Sequence, residues 1–543
     1  EAKLRLLNQA YYSGDWSIIA KKGNEGFYFF SDEDVAAIRS SAKTQWGKKI
    51  IADLEQKVKE RRKHSLEVPK EEGGHFHDYF CPVHNLQFTF RWDKPLAQYC
   101  SACDKEWIGN NRYDWAWIYE VHMLNRDYMY QCMYLYLATG KRQYADYIRT
   151  MLLDYAGKYA GWFEHNSGRK ATDQHSGKAF AQSLDEANWA TKVAMAYMAI
   201  KPVLSKEEVK AIEEGYLQPA ATLLLHRPAG ANWQMWHNSG LAALGIALEN
   251  DSIVDVAINK DKYGYHYLIG KHKNSDGWIN EGSPHYHYYP LEALLFTANA
   301  VKCRGIKLFD KDLHDMFVEP VKGTYPDLSF PAHSDGWYGA NLLSQSALYE
   351  VGNARYNDPF LKRVLELTYA QKKRLDPEAL LSNQLIKASE ESLLQKSYSF
   401  DTSGFCLLRS DTRTVVLKFG GEGIGHGHPD KLSITIYDGK NELVSDFGTS
   451  GYGVPDYLKW YKRTLSHNTV TVDAKDQKRS VGKLLKFNPR SDGGYAEAET
   501  TTAYPGVRMK RSLDLKGTHL QDVYTCTSDS SHLYEYVILF NEK

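Results

Sequence analysis

The stretch WAWIYEVHMLNRDYMYQCMYLYLATG, residues 115–140, decides the fold class of this chain. Its apolar residues recur at intervals of three and four positions, which is the period of an amphipathic helix. The same pattern continues from about Arg112 to Lys372, and Gly, Pro or Asn separates the segments, as in HRPAGAN and LENDS. Sequential helices with short connections must pack on one another, as a bundle, a solenoid or a closed toroid.

After about Tyr398 the pattern changes to short, β-rich segments. FCLLRS, RTVVLKFGG, KLSITIYDG, NTVTVDA, LQDVYTCTS and LYEYVILF are separated by turn residues, which predicts an antiparallel β-sandwich. Because the chain ends close to the apolar strand YVILF, we allow for a sandwich that is incomplete at this end. The predicted α+β multidomain organisation is an N-terminal segment with a small Cys/His module (1–111), a helical domain (112–374), a linker (375–397) and the sandwich (398–543).

Composition excludes some functional classes. The chain has 67 basic and 67 acidic residues among 543, and this neutral balance argues against a nucleic-acid-binding protein. A local basic cleft for an anionic glycan remains compatible with it. Thirteen Trp and 38 Tyr fit a large core and an aromatic sugar cleft equally well. No apolar run reaches the ~20 residues of a membrane span.

The cellular location follows only indirectly. The chain opens with EAKLRLLNQAYYSGDW, which has no signal-peptide pattern. A mature protein whose leader has been removed would look the same, so we expect a periplasmic or secreted protein. Seven cysteines in 543 residues do not form a disulfide scaffold.

A small module that precedes the helices contains a C-x2-H pair and a C-x2-C pair. These residues are Cys81, His84, Cys100 and Cys103. Two such pairs on β-turns predict a structural zinc site, since four protein ligands leave no open position. The alternative is a coincidence of four residues with free thiols. His75 and His77 lack this spacing and are interpreted as surface residues.

The stretch GANWQMWHNSGLAALGIALEND is the first candidate for a functional site. Asn232 lies at the start of a predicted helix, where a polar residue can be a simple cap. Beside it is a dense polar and aromatic cluster of Trp233, Trp236, His237 and Asn238. Such a cluster is unfavourable to bury unless it faces a cleft.

The second candidate is SDGWINEGSPHYHYYPLEALL, just ahead of an apolar helix. It contains Glu281, His285, Tyr286, His287, Tyr288 and Tyr289. A tyrosine near polar or cationic groups can serve as a general acid or base. For any single tyrosine here, a place in a Tyr-rich loop over the core is the simpler interpretation.

The third candidate is GEGIGHGHPDKLSITIYDGKNELVSDFGTSGYG, followed by YKRTLSHNTVTVD. His426, His428 and Asp430 share the parity of buried strand residues and therefore need partners. Asp446 and His467 fall on neighbouring strands, so His428, Asp446 and His467 predict a zinc site. The alternative is a hydrogen-bonded network without metal. His467 has the opposite parity to the apolar Val470 and Val472, and a bulge or a strand-start position would resolve this conflict.

These motifs resemble those of the heparinase II/III-like polysaccharide lyases and the related oligoalginate lyases. The resemblance rests on NWQMWHNSG, DGWINEGSPHYHYY, GHGHPDKLSITIYDG with SDFGTSGY, and SHNTVTVD, in family order between about Asn232 and Asp473. The FCPVH…CSACDKEW…YDWAW element is similar to that of the oligoalginate and exo-heparinase branch. The resemblance implies an (α/α) toroid of helical hairpins followed by an antiparallel sandwich.

The resemblance also implies cleavage of a uronate glycan by β-elimination. Asn232 would hydrogen-bond the uronate carboxylate with help from His237, and Tyr286 and His426 would transfer the protons. Tyr286 is preferred to Tyr288 because it follows the E-x-S-P-x-Y-H pattern. The metal at His428, Asp446 and His467 would be structural, and no organic cofactor is expected. The expected substrate contacts are Trp233, Trp236, Glu281, Tyr288 and Arg463.

Other interpretations stay open. A glycoside hydrolase would need two carboxylates, for which Asp185, Glu186 and Glu281 are available. A non-catalytic glycan-binding protein would keep the fold but would not need the Tyr–His set. Arg463 and Lys462 could contact an anionic sugar group or form an ordinary surface salt bridge. For a lyase we expect heparin or heparan sulfate first and alginate or oligoalginate second, with endo or exo action and oligomeric state left open.

Overall fold

The computed structural model describes residues 29–170, 175–390, 393, 396–421, 424–452 and 454–541. None of the helices in these ranges has the length and apolar character needed to cross a membrane. The helices are α1 (Asp32–Lys43), α2 (Gln45–Arg61), α3 (Asn111–Thr139), α4 (Arg142–Tyr159), α5 (Ser183–Ile200), α6 (Lys206–Ile212), α7 (Gln218–Leu225), α8 (Ala231–Ala247), α9 (Asp251–Asn259), α10 (Tyr265–His272), α11 (Pro284–Lys302), α12 (Lys311–Val318), α13 (Ser346–Tyr356) and α14 (Pro359–Gln371).

Several helices begin or end at residues that are typical helix caps. The Ser31 hydroxyl accepts a hydrogen bond from the Asp34 amide, and the Asp34 carboxylate accepts one from the Ser31 amide, which forms a capping box at α1. Gly140 adopts φ of +68° and ends the long helix α3. Ser283 caps α11, with Pro284 in its first turn, so the chain enters this helix at a defined angle.

Helix α8 lies at the centre of the helical domain. Fifteen of its 17 residues are buried, and it packs against α5 on one side and α11 on the other. The short 3₁₀ helix Pro377–Leu381, which follows α14, packs against both α13 and α1. The end of the helical domain therefore returns to its beginning, as the helical toroid implied by the resemblance requires.

The C-terminal part is an antiparallel sheet that curls around its own core. Its strand order is β12-β11-β10-β4-β5-β6-β7, β3 pairs with β4, and β8 pairs with β13. The strands are β3 (Tyr398–Phe400), β4 (Phe405–Arg409), β5 (Thr414–Lys418), β6 (Ser433–Tyr437), β7 (Glu442–Val444), β8 (Val470–Val472), β9 (Lys483–Arg490), β10 (Gly493–Tyr504), β11 (Val507–Lys516), β12 (His519–Ser528) and β13 (Tyr534–Tyr536). The predicted α+β multidomain class is confirmed.

Strand β4 joins the two parts. All five of its residues are buried, as expected for a strand that is covered on both faces. Phe405 and Leu407 belong to the core of the helical domain, whereas Cys406 and Leu408 belong to the core of the sheet. Successive side chains point to opposite faces, so one strand serves both cores and fixes the sheet against the helices.

The N-terminal part contains more than the predicted small module. Helices α1 and α2 lie within residues 1–111 and pack on α3, so the helical domain begins before the predicted boundary at residue 112. The module itself is built around the hairpin β1 (Ala97–Cys100) and β2 (Lys105–Ile108). Its core is small and consists of Tyr79, Cys81, Phe88, Cys100 and Ala116.

Candidate functional site

The first turn of α8 and the loop before α11 meet through a pair of polar side chains. Asn232 Nδ2 donates a hydrogen bond to Glu281 Oε2 at 2.6 Å, and the Asn232 amide donates to Oε1 at 3.0 Å. Ala231, directly before, adopts φ of +49°, a conformation rare outside glycine. Burial raises the pKa of Glu281 although His426 and Asn232 act in the opposite direction. The amide of Asn232 is therefore held at a buried carboxyl group.

The start of α11 presents Tyr286 to a loop of the sheet domain. The Tyr286 ring stacks on the His426 imidazole, with centroids 3.6 Å apart and planes inclined by 17°. His426 Nε2 lies 3.6 Å from Glu281 Oε2, so these four residues form one continuous cluster. The Tyr286 and Tyr452 hydroxyls are hydrogen-bonded to each other. Burial raises the pKa of Tyr286 above its usual range, which keeps the phenol protonated at neutral pH.

The Asp335 carboxylate contacts this cluster. Its Oδ2 accepts hydrogen bonds from Tyr452 at 3.2 Å and Tyr457 at 3.0 Å, and it lies 3.0 Å from His426 Nδ1. Its Oδ1 lies 2.9 Å from His428 Nε2. Burial raises the pKa of Asp335, but the hydrogen bonds with both histidines outweigh it and hold the pKa far below the usual range. Asp335 is therefore a permanent carboxylate at the base of the site.

A second cluster lies behind His428 in the sheet domain. His467 Nδ1 is 3.0 Å from Asp446 Oδ2, and the His428 and His467 rings are 5.2 Å apart. One ligand atom each from Asp430, Asp446 and His467 lies within 4.8 Å of the others. Within the described part of the chain, no hydrogen-bond partner reaches His428 Nδ1 or His467 Nε2. Two buried ring nitrogens without partners beside carboxylates fit a metal site.

Asp430 takes the place of the predicted ligand His428 in this group of three residues. Its carboxylate forms ion pairs with Lys418 and Lys431, so two cations already neutralise it. His467 follows the 3₁₀ turn Thr464–Ser466 in extended conformation, just before β8. This strand-start position accounts for its parity relative to the apolar residues of β8.

Two family models match the chain. Residues 393–535 match the model described as Heparinase II/III-like, C-terminal, and residues 121–318 match the one described as Alginate lyase. The sheet part thus matches a heparinase II/III-like C-terminal domain, and the helical part matches an alginate lyase domain. The resemblance found in the sequence motifs is thereby confirmed.

Several curated proteins are similar to this chain. An alginate lyase from Stenotrophomonas maltophilia is 29% identical over 476 residues, which are 78% of this chain and 63% of that protein. An exo-oligoalginate lyase from Saccharophagus degradans is 26% identical over 485 residues, 78% of this chain and 64% of that protein. A heparin-sulfate lyase from Bacteroides stercoris is 26% identical over 253 residues, 44% of this chain and 35% of that protein. The chain thus spans less than two thirds of the length of these relatives.

Solved structures share the fold of this chain. A crystal structure of heparinase III gives a TM-score of 0.54 at 13% identity, over 94% of this chain and 75% of that one. A mutant heparan sulfate lyase from Pedobacter heparinus gives 0.52 at 15% identity, over 90% of this chain and 78% of that one. At these identities the likeness concerns the fold alone.

Some predicted site residues lie in the helical core. His237 is fully buried, and burial lowers its pKa to about 3. Trp236 is fully buried and packs against Tyr289 at 5.1 Å. The Tyr288 hydroxyl is 3.1 Å from that of Tyr349, inside the core. These buried positions do not present His237, Trp236 or Tyr288 to a ligand.

Two other predicted substrate contacts lie nearer the surface. Trp233 is half-buried, with its ring 4.8 Å from that of His175. Arg463 Nε is 2.5 Å from Asp476 Oδ2, and its side chain is about half exposed. Of the two interpretations given for Arg463, the structure has the ordinary salt bridge.

The sequence motifs did not indicate several residues of the site. Asp335, Tyr452 and Tyr457 were missed, although SDGW occurs at both 275–278 and 334–337. This repeated tetrapeptide was a usable signal. His75 and His77 are not the surface residues expected; both are half-buried. Burial lowers their pKa values to about 4 and about 3.

The four predicted zinc ligands of the N-terminal module are brought together. One ligand atom from each of Cys81, His84, Cys100 and Cys103 lies within 4.8 Å of all the others. The module borders the site, since the His77 ring meets the Tyr452 ring at 5.0 Å.

Proposed function

We propose that this protein is a polysaccharide lyase that cleaves a uronate-containing glycan by β-elimination and leaves a 4,5-unsaturated uronate end. The observation that carries the proposal is the stacked Tyr286–His426 pair next to the Asn232–Glu281 pair. β-Elimination requires that the uronate carboxylate be neutralised, that a base take the C5 proton, and that an acid protonate the leaving O4. The cluster offers a group for each of these tasks.

Asn232 is the group that we assign to the uronate carboxylate. Its side-chain amide carries two N–H groups, so it can hold Glu281 and still donate a hydrogen bond to substrate. His237, the other candidate, is enclosed in the core of α8. A fixed donor in a cleft stabilises the enolate-like charge that develops when C5 loses its proton, typically by ~3–4 kcal/mol.

The hydrogen bonds around Asp335 assign the protons. Because the Asp335 carboxylate only accepts, His426 Nδ1 carries the proton and Nε2 is left with the basic lone pair. The Tyr452 hydroxyl lies 3.0 Å from His426 Nδ1 and 3.2 Å from Asp335 Oδ2, and since a protonated Nδ1 cannot accept, its O–H donates to Asp335 and Tyr286 donates to Tyr452. We therefore assign His426 as the base at C5 and the protonated Tyr286 as the acid at O4.

The substrate that we propose is alginate or an oligoalginate, in place of the heparin-type glycan favoured by the motifs. Of the two cations considered for an anionic sugar group, Lys462 donates to the Gly425 carbonyl at 2.8 Å and Arg463 is paired with Asp476. The alginate-type relatives also align over 78% of this chain, against 44% for the heparin-sulfate lyase. A heparin-type glycan is the second candidate, because the C-terminal family model carries the heparinase description.

We also propose a structural zinc ion in the sheet domain. Asp446 and His467 would hold it with Asp430 or His428, and the partnerless ring nitrogens support this ligand set. The ion would fix the loop that carries His426, two residues before His428. Because the proposed substrate is an extracellular polymer, we propose a periplasmic or secreted location.

The competing interpretations have less support in the geometry. A hydrolase requires two carboxylates on either side of the scissile bond. Glu186 accepts a hydrogen bond from Tyr159 inside the helical core, and Asp185 accepts one from Tyr119, so neither is paired with Glu281. A binding protein would have no need for a buried tyrosine stacked on histidine.

The test is near-ultraviolet absorbance during incubation with alginate, oligoalginate, heparan sulfate, heparin, chondroitin sulfate and hyaluronan. We expect absorbance to rise on the alginate substrates, because the unsaturated uronate absorbs there and the intact polymer does not. A rise on heparan sulfate instead would overturn the substrate but keep the reaction. Flat traces with new reducing ends would show a hydrolase, and flat traces with no new ends would leave a binding protein.

A further inference from the structure

The N-terminal module has the geometry of a metal site before any metal is added. Cys81 Sγ lies 4.0 Å from Cys103 Sγ and 3.8 Å from His84 Nδ1, and Cys100 Sγ lies 3.9 Å from the same nitrogen. Ligands at ~2.3 Å and ~2.1 Å from a tetrahedral zinc ion are separated by about these distances. A disulfide is excluded between Cys81 and Cys103 as they stand, since its sulfurs would be ~2.05 Å apart.

The two turns that carry the ligands are shaped to present sulfur. Asn85, after the C-x2-H pair, and Asp104, after the C-x2-C pair, adopt φ of +55° and +47°. The backbone N–H groups of Ala102 and Cys103 point at the Cys100 sulfur. Donors aimed at a sulfur stabilise the thiolate that a metal needs.

The apolar core of the module is small. Five of its residues are buried, two of which are the ligands Cys81 and Cys100, and partly buried residues such as Phe90 and Trp107 pack around them. Small units with little buried apolar area usually depend on a metal or disulfides. The four ligands come from two turns more than fifteen residues apart, so one ion would join the ends of the module.

Contacts from this module reach the candidate site. The His77 ring meets the Tyr452 ring, and Asn85 Nδ2 donates to Asp456 Oδ2 at 2.9 Å, next to Tyr457. Tyr452 and Tyr457 both donate to Asp335. The wall of the site formed by Tyr452 and residues 454–457 is therefore supported from the N-terminal module at two points.

We propose that Cys81, His84, Cys100 and Cys103 bind one zinc ion that fixes the module as the support for this wall. With four protein ligands the ion has no open position, so its role is structural. The metal site stands independently of the proposed lyase activity, because each test below reads metal or backbone order.

The first experiment uses cobalt(II) as the probe in the full-length chain, after zinc is removed with a chelator. We expect tetrahedral ligand-field bands together with near-ultraviolet thiolate-to-cobalt charge transfer, and the sheet-domain cluster, having no sulfur, cannot produce the charge-transfer band. Cys100→Ser should abolish the charge-transfer band, and Cys526→Ser, a half-buried thiol on β12, should keep it. Absence of the band in the wild type, or its persistence in Cys100→Ser, overturns the proposal.

Metal analysis of the protein as purified gives a second measurement. Zinc content should fall by one equivalent per chain in Cys100→Ser and stay unchanged in Cys526→Ser. Unchanged zinc in Cys100→Ser would overturn the site. If Cys100→Ser does not fold, the cobalt spectrum of the wild type decides alone.

Hydrogen exchange tests the support of the wall. Loss of the ion should speed amide exchange in residues 75–88, at Tyr452 and in residues 454–457, and leave β10 and β11 unchanged. Equal protection of Tyr452 and residues 454–457 with and without the ion would overturn this part of the proposal, whether or not the protein cleaves any glycan.

Discussion

Two histidines only two residues apart serve different clusters, and Asp335 contacts both. His426 has a side chain that is 22% exposed, stacks on Tyr286 and faces Glu281. The side chain of His428 is fully buried and lies beside His467 among carboxylates. The same residue type is thus suited to proton transfer where solvent and a tyrosine reach it, and to structure or metal binding where they do not.

The largest expected effect is a loss of activity from a substitution in the reactive cluster, which consists of Asn232, Glu281, Tyr286 and His426. Tyr286→Phe removes the acid assigned to O4, so activity on the responsive glycan should fall by about 10²–10⁴-fold with the melting temperature nearly unchanged. Initial rates of absorbance increase and thermal unfolding measure the two effects. A fully active Tyr286→Phe would remove this residue from the mechanism.

Tyr288→Phe is the matched control on the same helix. It loses one hydrogen bond with Tyr349, for which we expect a destabilisation of ~1 kcal/mol and no loss of activity. An inactive but folded Tyr288→Phe would reverse the assignment of the two tyrosines.

Substitutions in the second cluster should lower the stability of the protein. His467→Ala leaves the Asp446 carboxylate buried without its partner, and the loss should be about 3–5 kcal/mol in the free energy of unfolding. Denaturant unfolding and zinc content measure it. His532→Ala breaks a His–Asp pair with Asp473 that is partly exposed, so its effect should stay below ~1 kcal/mol. Equal effects of the two variants would show that the buried cluster is not structural.

Asp335→Asn tests whether the clusters are coupled. The carboxylate contacts both His426 and His428, so its loss should lower activity by about 10–100-fold and lower the melting temperature as well. A variant that loses activity and keeps full stability would show that Asp335 serves the His426 side alone.

The sequence predicted many residues of the two clusters, and there is a physical reason why it did not predict the others. Asn232, Glu281, Tyr286 and His426 were all candidates, because polar residues beside an apolar helix or strand stand out from its periodicity. Asp335 lies in a loop, where no period separates a site residue from a solvated one. Loop residues therefore need the three-dimensional structure.

The motifs also did not show which of their residues are buried in the core. Tyr286 and Tyr288 are two residues apart on α11, about 200° around the helix, so only one of them can face the site. Likewise His237 is five positions beyond Asn232 on α8, roughly 140° away. Choosing the correct face requires the neighbours of each helix, which the motifs do not specify.

Acid stability should reveal the buried histidines outside both clusters. Burial lowers the pKa of His237 to about 3, whereas in the unfolded chain it returns to ~6.5. The unfolded state then binds the extra proton first, so stability is complete above ~6.5 and is lost as pH falls toward the folded pKa. At pH 5 the expected loss in the free energy of unfolding from His237 is about 2 kcal/mol.

His237→Gln should reduce the loss of stability between pH 7.5 and pH 5 by that amount, as measured by denaturant unfolding at both values. Asp335 does not contribute in this window: its pKa is lowered, so its stabilisation is lost only below the ordinary carboxyl range. An identical pH dependence in His237→Gln and wild type would show that this histidine is not held neutral by burial.

The smallest effect should come from the rim of the site. Arg463 is about half exposed and pairs with Asp476, whose other oxygen accepts the Thr464 amide at 2.8 Å. Since that carboxylate keeps a partner, Arg463→Ala should change the free energy of unfolding by less than ~1 kcal/mol. We expect KM to be unchanged too, because the guanidinium is engaged away from the His426 cluster. A higher KM with unchanged kcat would mean that Arg463 leaves Asp476 and binds the glycan equally well in the ground state and the transition state. The reactive cluster would then include this cation.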